Sequence, residues 1–252
     1  MNRILITGAA SGIGRATAQL FHRHGWHTGL LDVNGAALEA LAHTLGERCW
    51  WRTLDVTDAG AAQAAVDDYA AEVGGLDVLF NCAGILRTGH FEEISAEQHA
   101  LIMDINITGL INMTLAAFPW LREAPAPVVI NMSSASALYG SPHLASYSAS
   151  KFAVRGLTEA LNVEWERHGI HVCDLMPPFV ATPMLSEQSF RMPAMDHLGV
   201  RLDADDVARA ALRAVSSRGV HHPVGLSFRI SMWLEKLTPR RFTRFVVRRL
   251  SR

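Results

Sequence analysis

Arg3-Ile4-Leu5-Ile6-Thr7-Gly8-Ala9-Ala10-Ser11-Gly12-Ile13-Gly14 is the stretch on which the fold turns. Its first five residues are a short apolar run of strand character, and the glycines after them mark a tight turn into a helix. Glycine at such a bend lets the backbone approach a pyrophosphate, while the helix N-terminus offers unpaired N–H groups and the positive end of its dipole. A glycine pattern alone says little. At the carboxyl end of the first strand it points to a dinucleotide. Gly8, Ser11, Gly12, Ile13 and Gly14 are the candidate phosphate-binding residues.

Outward from this loop the same alternation repeats. Strand-like runs occur at Arg3–Thr7, Thr28–Asp32, Trp50–Asp55, Val78–Asn81, Val128–Met132, His171–Met176 and near Val220–Leu226. Alanine-rich helical stretches lie between them, at Gly14–His24, Ala36–Leu45, Ala59–Val73, Ala96–Phe118, Ser148–His168 and Ala204–Ser216. Apolar runs alternating with helices predict an α/β, Rossmann-like, doubly wound fold, with a mostly parallel seven-stranded sheet and helices on both faces. No repeat or low-complexity linker divides the 252 residues. Residues 1–226 read as one dinucleotide-binding and catalytic domain, within which 183–202 is a lid over the substrate. Residues 227–252 read as a basic, amphipathic helical extension.

Composition narrows the partners. Hydrophobic residues make up 49% and charged residues 19%, and the formal net charge is −1, which gives no overall push towards nucleic acid or membrane. That total hides an asymmetry: residues 227–252 carry eight basic residues and one acid. Cys49, Cys82 and Cys173 are scattered and odd in number, as expected of reduced core thiols in a cytoplasmic protein. The histidine pairs His22/His24 and His221/His222 lack the spacing of a known metal site and read as surface residues, so no metal is expected. The first residues run straight into a strand, unlike a signal peptide, and no uninterrupted apolar run is long enough to span a bilayer.

Acids and small residues at the other strand ends extend the dinucleotide reading. Asp32, ending the second strand, can accept hydrogen bonds from both hydroxyls of an adenosine ribose but would repel a 2′-phosphate. Val33 and Asn34 supply no cation to reverse that, so NAD is favoured over NADP. Arg15 is the one reservation, and a helix N-cap is the plain alternative for Asp32. Asp55 and Val56 after the third strand, and Asn81, Ala83 and Gly84 after the fourth, stand where such sheets bind ligands.

Tyr147 and Lys151 bring the chemistry. The chain holds only two lysines, against 21 arginines, and three tyrosines. Four apart on a helix, a phenol and an ammonium share a face, and the ammonium lowers the phenol pKa towards a range useful for proton transfer. An exposed helical pair is the bland reading.

Taken together, Thr7–Gly14, Asn81-Cys82-Ala83-Gly84, Asn106, Ser134 and the Tyr147/Lys151 pair resemble the short-chain dehydrogenase/reductase family, in its short single-domain branch. The resemblance covers roughly residues 1–226. It implies that Tyr147 is the general acid/base, that Lys151 tunes it and holds the nicotinamide ribose, that Ser134 binds the substrate oxygen, and that Asn106 holds a water in a proton relay. It also implies carboxamide contacts at Val180 and Thr182, a cofactor contact at Pro177, and a homodimer or homotetramer built on the long helices. Two positions depart from the family pattern: Cys82, where an asparagine is common, and Pro178, where glycine is usual.

The expected activity is NAD(H)-dependent interconversion of an alcohol and a ketone or aldehyde. The methionine-rich lid suggests a lipophilic or aromatic substrate, met by Ser134, Leu138, His143, Phe179, Met184 and Leu185, with Phe91 a further candidate. A lid packed only on its own core is the plain alternative. A 3-oxoacyl-thioester reductase using NADPH and a non-catalytic dinucleotide sensor are the competing functions. The tail, with Pro239 between two helical pieces, reads either as packing on its own subunit or a partner, or as peripheral membrane contact through 238–252.

Overall fold

The central strands, rich in Val, Ile and Leu, need burial on both faces, and a parallel sheet between helices supplies it. The computed structural model describes residues 2–251, apart from the side chains at 235–237 and 240. The strands are β1 (Arg3–Thr7), β2 (His27–Asp32), β3 (Cys49–Thr53), β4 (Val78–Asn81), β5 (Val128–Met132), β6 (His171–Met176), β7 (Val180–Ala181), β8 (Leu202–Asp203) and β9 (His221–Pro223). The main sheet runs β3-β2-β1-β4-β5-β6-β9, and every pairing in it is parallel. Strand order reverses between β1 and β4, where a crevice opens above the carboxyl ends.

The helices are α1 (Gly12–Arg23), α2 (Gly35–Leu45), α3 (Ala59–Val73), α4 (Ala96–Met103), α5 (Leu110–Leu121), α6 (Ala145–Glu164), α7 (Pro183–Ser186), α8 (Pro193–Leu198), α9 (Ala204–Ala214), α10 (Leu226–Leu237) and α11 (Arg240–Leu250). One apolar core lies on one face of the sheet, around Ile4, Ile6, Phe21, Leu30, Phe80 and Val207. A second lies on the other face, around Leu5, Leu31, Val66, Tyr69, Leu79 and Met113. The doubly wound architecture is therefore as the alternation predicts.

Local chemistry explains several boundaries. Asn34, Asp58 and Ser95 each cap a helix by accepting from a backbone N–H three residues on. Asp203 and Asp206 form a reciprocal capping box on α9. The predicted helix 96–118 is two helices joined by one π-helical stretch, Asp104–Gly109, and runs on to Leu121. That 26-residue run is long and apolar enough to cross a membrane by length and composition, unlike the expectation above. Here its α5 part packs on α3 and β4 in the body.

Three further differences matter. The predicted strand Trp50–Asp55 ends at Thr53, because Asp55 closes a turn by accepting from the Thr57 N–H and hydroxyl. The last strand is only His221–Pro223, because Gly225 turns the chain with φ +89° into α10. β7 and β8 form a separate parallel pair, Val180 opposite Leu202 and Ala181 opposite Asp203, which sequence periodicity did not reveal. It clamps both ends of the 183–201 segment.

Candidate active site

The carboxyl ends of the central strands open into a cleft of about 1150 Å³. Its floor begins at the glycine loop. Gly8 has φ +68°, and a Cβ there would come within 2.9 Å of Ala83 Cα, so only glycine lets β1 and β4 leave the sheet this close together. The Thr7 hydroxyl ties the same two ends, accepting from the Cys82 and Ala83 N–H groups, each at 3.0 Å. Ser11 precedes α1 without capping it through its side chain, so that N-terminus presents backbone donors to the cleft.

Asp32 holds this loop from the side. Its carboxylate accepts from Ala10 N at 3.0 Å and Asn34 N at 3.0 Å and lines the cleft. The cap of α2 is Asn34, which removes the N-cap alternative for Asp32. Arg15 is exposed and is not on the cleft wall. Asp55 and Val56 both line the cleft, and the Asn112 amide donates to the Val56 and Thr57 carbonyls to fix that turn. Asn112 was not singled out in the sequence, because one amide on an apolar helix carries no distinctive spacing.

Asn81 does something other than expected. It is absent from the cleft wall and donates to Thr114 Oγ1 and Asn131 Oδ1, both at 3.0 Å. Asn131 in turn donates to Thr158 Oγ1, so a buried polar ladder crosses from β4 through β5 to α6. Position within the strand dictates this: the side chain of a buried central strand has only neighbouring elements to bond.

Tyr147 and Lys151 rise from α6. Lys151 is 4% exposed and donates to the Met132 carbonyl at 2.8 Å, with its Nζ 5.5 Å from the Tyr147 ring centroid. Burial pulls its ammonium down to about 8. Tyr147 packs among Leu86, Leu144 and Met192, and that desolvation pushes its phenol up to about 12, while a hydrogen bond to Ser134 works in the opposite direction. This reverses the lowering expected from a neighbouring ammonium: burial is the largest influence on the phenol, and the ammonium is engaged by the Met132 carbonyl.

Asn106 lies on the π-helical stretch, a local widening of the kind often found at functional sites. Its Oδ1 accepts from Ile85 N at 2.8 Å, and its Nδ2 donates to Ile85 O at 3.1 Å and Ser150 Oγ at 3.0 Å. The Ser150 hydroxyl donates to the Tyr147 carbonyl at 2.7 Å. Ser150 thus couples Asn106 to the helix carrying Tyr147, a link hidden among the other serines of 146–150. Gly84 separates the two functional groups: a Cβ there would sit 3.0 Å from Asn106 Oδ1 and 3.7 Å from Lys151 Nζ.

Pro177, Pro178, Phe179, Val180 and Thr182 all line the cleft. The Pro177 carbonyl accepts from Ala135 N at 2.9 Å. A Cβ at Gly12 would meet Thr182 Cγ2 at 3.5 Å, so this loop crosses to the glycine turn despite Pro178.

The outer half of the cleft is apolar. Ser134, Leu138, Phe179, Met184 and Leu185 line it as expected. The lid is not packed only on its own core, since Met192 is buried against the cluster that contains Tyr147 and Phe179. His143 is a correction: with φ +65° it turns its ring onto His90 and Phe190, away from the cleft. Phe91 stacks on His99 and is likewise off the wall. Missed altogether were Leu226, Ser227, Phe228, Ser231 and Val247 of α10 and α11. The amphipathic character of this tail was visible in the sequence, but nothing local said that the chain returns to the cleft.

On the β6/β9 edge, His221 bridges Asp174 and Glu159 at 3.0 Å each. His171, Cys173 and His222 bring ligand atoms within 4.8 Å of one another and could hold a metal ion. These histidines are half-buried or buried, not the surface residues expected. None of the three lines the cleft. All three cysteines are free, and burial raises the Cys82 and Cys173 thiols to about 12.

The family model for short chain dehydrogenases matches residues 2–192. Oxidoreductase UcpA of Salmonella typhimurium is 39% identical over 184 residues, covering 71% of this chain and 70% of that protein. D-threitol dehydrogenase of Mycolicibacterium smegmatis is 38% identical over 183 residues, covering 71% and 70%. Among solved structures, a 3-ketoacyl-(acyl-carrier-protein) reductase from Brucella melitensis, complexed with NADH, superposes with a TM-score of 0.81 at 29% identity, covering 88% of this chain and 96% of that one.

Proposed function

The chain is an oxidoreductase of the short-chain dehydrogenase family, and from that premise we propose that it interconverts a lipophilic or aromatic alcohol and its ketone or aldehyde with NAD(H). One observation carries the reading. Tyr147, Ser134 and Lys151 share a cleft with the glycine loop and Asp32, while the far side of that cleft is apolar. A dinucleotide fits the floor: the backbone cradle at Gly8, the N–H groups opening α1 and the carboxylate of Asp32 match pyrophosphate and ribose in turn. When bound, the nicotinamide would donate or accept the hydride.

The protein's own residues manage the proton. Ser134 Oγ is fixed by the Ser136 N–H at 3.2 Å and hydrogen-bonds the phenol, so a carbonyl or hydroxyl oxygen held between them meets both groups. Tyr147 gives its proton to that oxygen in reduction and takes it back in oxidation. A phenol raised by burial stays protonated at neutral pH and so holds the proton that reduction needs. Oxidation needs the phenolate, which a charged Lys151 nearby stabilises. Asn106 donates to Ser150, Ser150 donates to the Tyr147 backbone carbonyl, and Gly84 lies between Asn106 and Lys151, so a water held in this group would supply the route by which the proton is replaced.

The cofactor preference rests on Asp32, with Arg15 directed elsewhere. A 3-oxoacyl-thioester substrate is the second reading. It is favoured by the likeness to the Brucella reductase, whose NADH complex means that cofactor choice does not separate the two. Exposed apolar residues on the long helices, Leu115 and Phe152 among them, support assembly into a homodimer or homotetramer.

The test is a panel of alcohols, ketones and acyl thioesters offered with each dinucleotide, followed by absorbance of the reduced nicotinamide. The reading expects NAD-linked turnover that improves with substrate apolarity. Turnover confined to small polyols, or faster turnover with NADP, would overturn its substrate or its cofactor half respectively.

A further inference from the structure

α10 and α11 each face two ways. Leu226, Ser227, Phe228, Ser231 and Val247 contribute to the outer wall of the cleft. Outwardly, Leu226, Ile230, Trp233 and Leu234 recur at i, i+4, i+7 and i+8, one stripe of a helix, and are 54–73% exposed. The first member of the stripe is itself a wall residue, so the exposed apolar track begins at the rim of the cleft.

α11 repeats the arrangement. Thr243, Val247 and Leu250 are its half-buried positions, and the helix contacts lid helix α8. Phe242, Phe245 and Val246 remain exposed, beside Arg241, Arg244, Arg248 and Arg249. Apolar side chains set among arginines suit neither bulk water nor an apolar protein core. The family model ends at Met192, before either helix.

We propose that this face seats the protein on an anionic lipid surface, and that a lipophilic substrate passes from the bilayer along the Leu226 stripe into the cleft. Charge selects this occupant. With eight basic residues against one acid in 227–252, two copies meeting tail to tail about a two-fold axis would oppose like charges. An anionic membrane attracts them, each arginine near its surface adding about 1 kcal/mol, or about five-fold in binding. The aromatic and aliphatic stripe then enters the headgroup boundary.

The passage step rests on the lipophilic-substrate reading, whereas the docking step does not. The test therefore measures them separately, on the full chain. Flotation without substrate compares phosphatidylcholine vesicles with vesicles doped with phosphatidylglycerol. Docking predicts binding to the anionic vesicles that high salt abolishes. The triple variant R241Q/R244Q/R248Q should weaken it on the order of 100-fold. Phe242→Ser with Phe245→Ser should weaken binding while leaving turnover of a short, water-soluble alcohol unchanged.

Failure to float, equal binding to neutral vesicles, or a tail-dependent dimer by sedimentation that displaces vesicle binding would each overturn docking. If the protein floats but vesicles do not lower KM for a membrane-dissolved alcohol, passage is overturned while docking stands. Turnover of lipophilic alcohols in detergent without flotation would keep the functional reading and remove this one.

Discussion

The floor and the roof of the cleft are built differently. The floor consists of strand ends and the loops leaving them, cross-tied by hydrogen bonds: Thr7 to Cys82 and Ala83, Asp32 to Ala10, Asn112 to Val56 and Thr57. Each tie is anchored in a sheet buried on both faces. The roof consists of short helices α7 and α8 and the α10/α11 pair. The lid is held at its base by two residues of strand on each side, and over the cleft by Thr88 bonding Gln188 and Phe190. A cradle for a constant group is best made of rigid backbone. A surface for a variable apolar group, which must also open, suits side chains on loosely tethered elements.

The sharpest separation of the two is Tyr147→Phe, which should lower turnover about 1000-fold, the scale of a lost general acid/base. Dinucleotide affinity, read by nicotinamide fluorescence, should stay within about three-fold, since the floor is untouched. If affinity falls in step with turnover, floor and chemistry are one unit and the contrast fails.

Lys151→Arg comes next. It keeps the charge, but a planar guanidinium does not fit the buried space of the ammonium, so most activity should be lost. Lys151→Met should also lose activity yet raise stability by about 1–3 kcal/mol at neutral pH, because it removes a desolvated charge at the cost of the bond to the Met132 carbonyl. The sign can be read from pH. The folded-state value of about 8 lies below the ordinary 10.5, so between those limits the unfolded chain holds the extra proton and wild-type stability rises with pH. Denaturant melts of Lys151→Met should show a shallower rise across that window.

Asp32→Ser probes the floor alone. Preference for NAD over NADP should fall on the order of ten-fold or more, and loss of the bond from Ala10 N should cost about 1 kcal/mol in a thermal melt. An unchanged preference would move the discrimination elsewhere.

The smallest effect belongs to the roof. Phe228→Ala should raise KM for a bulky aromatic alcohol about three- to ten-fold, as one lost apolar contact does, and leave KM for a two-carbon alcohol unaltered. Equal changes for both substrates would mean that α10 supports the site without touching substrate.

Much of the floor was legible because its information is local. A strand followed by Gly8, Gly12 and Gly14, an acid ending β2, and a phenol and ammonium four apart on one helix each state their geometry within a few residues. Where the local reading failed, a distant neighbour had decided. Asn81 sits at the correct strand end, but its side chain is claimed by Thr114 and Asn131. His143 lies near the cleft in sequence but is turned onto His90 and Phe190.

Sequence by itself therefore determined the doubly wound sheet, the dinucleotide cradle and the pairing of Tyr147 with Lys151, since periodicity and short spacing suffice for each. Only the tertiary structure decided the protonation balance of that pair, the clamping of the lid by β7 and β8, and the return of residues 225–247 to roof the cleft. Those depend on desolvation and on contacts between segments up to roughly 200 residues apart, and neither is written in any local pattern.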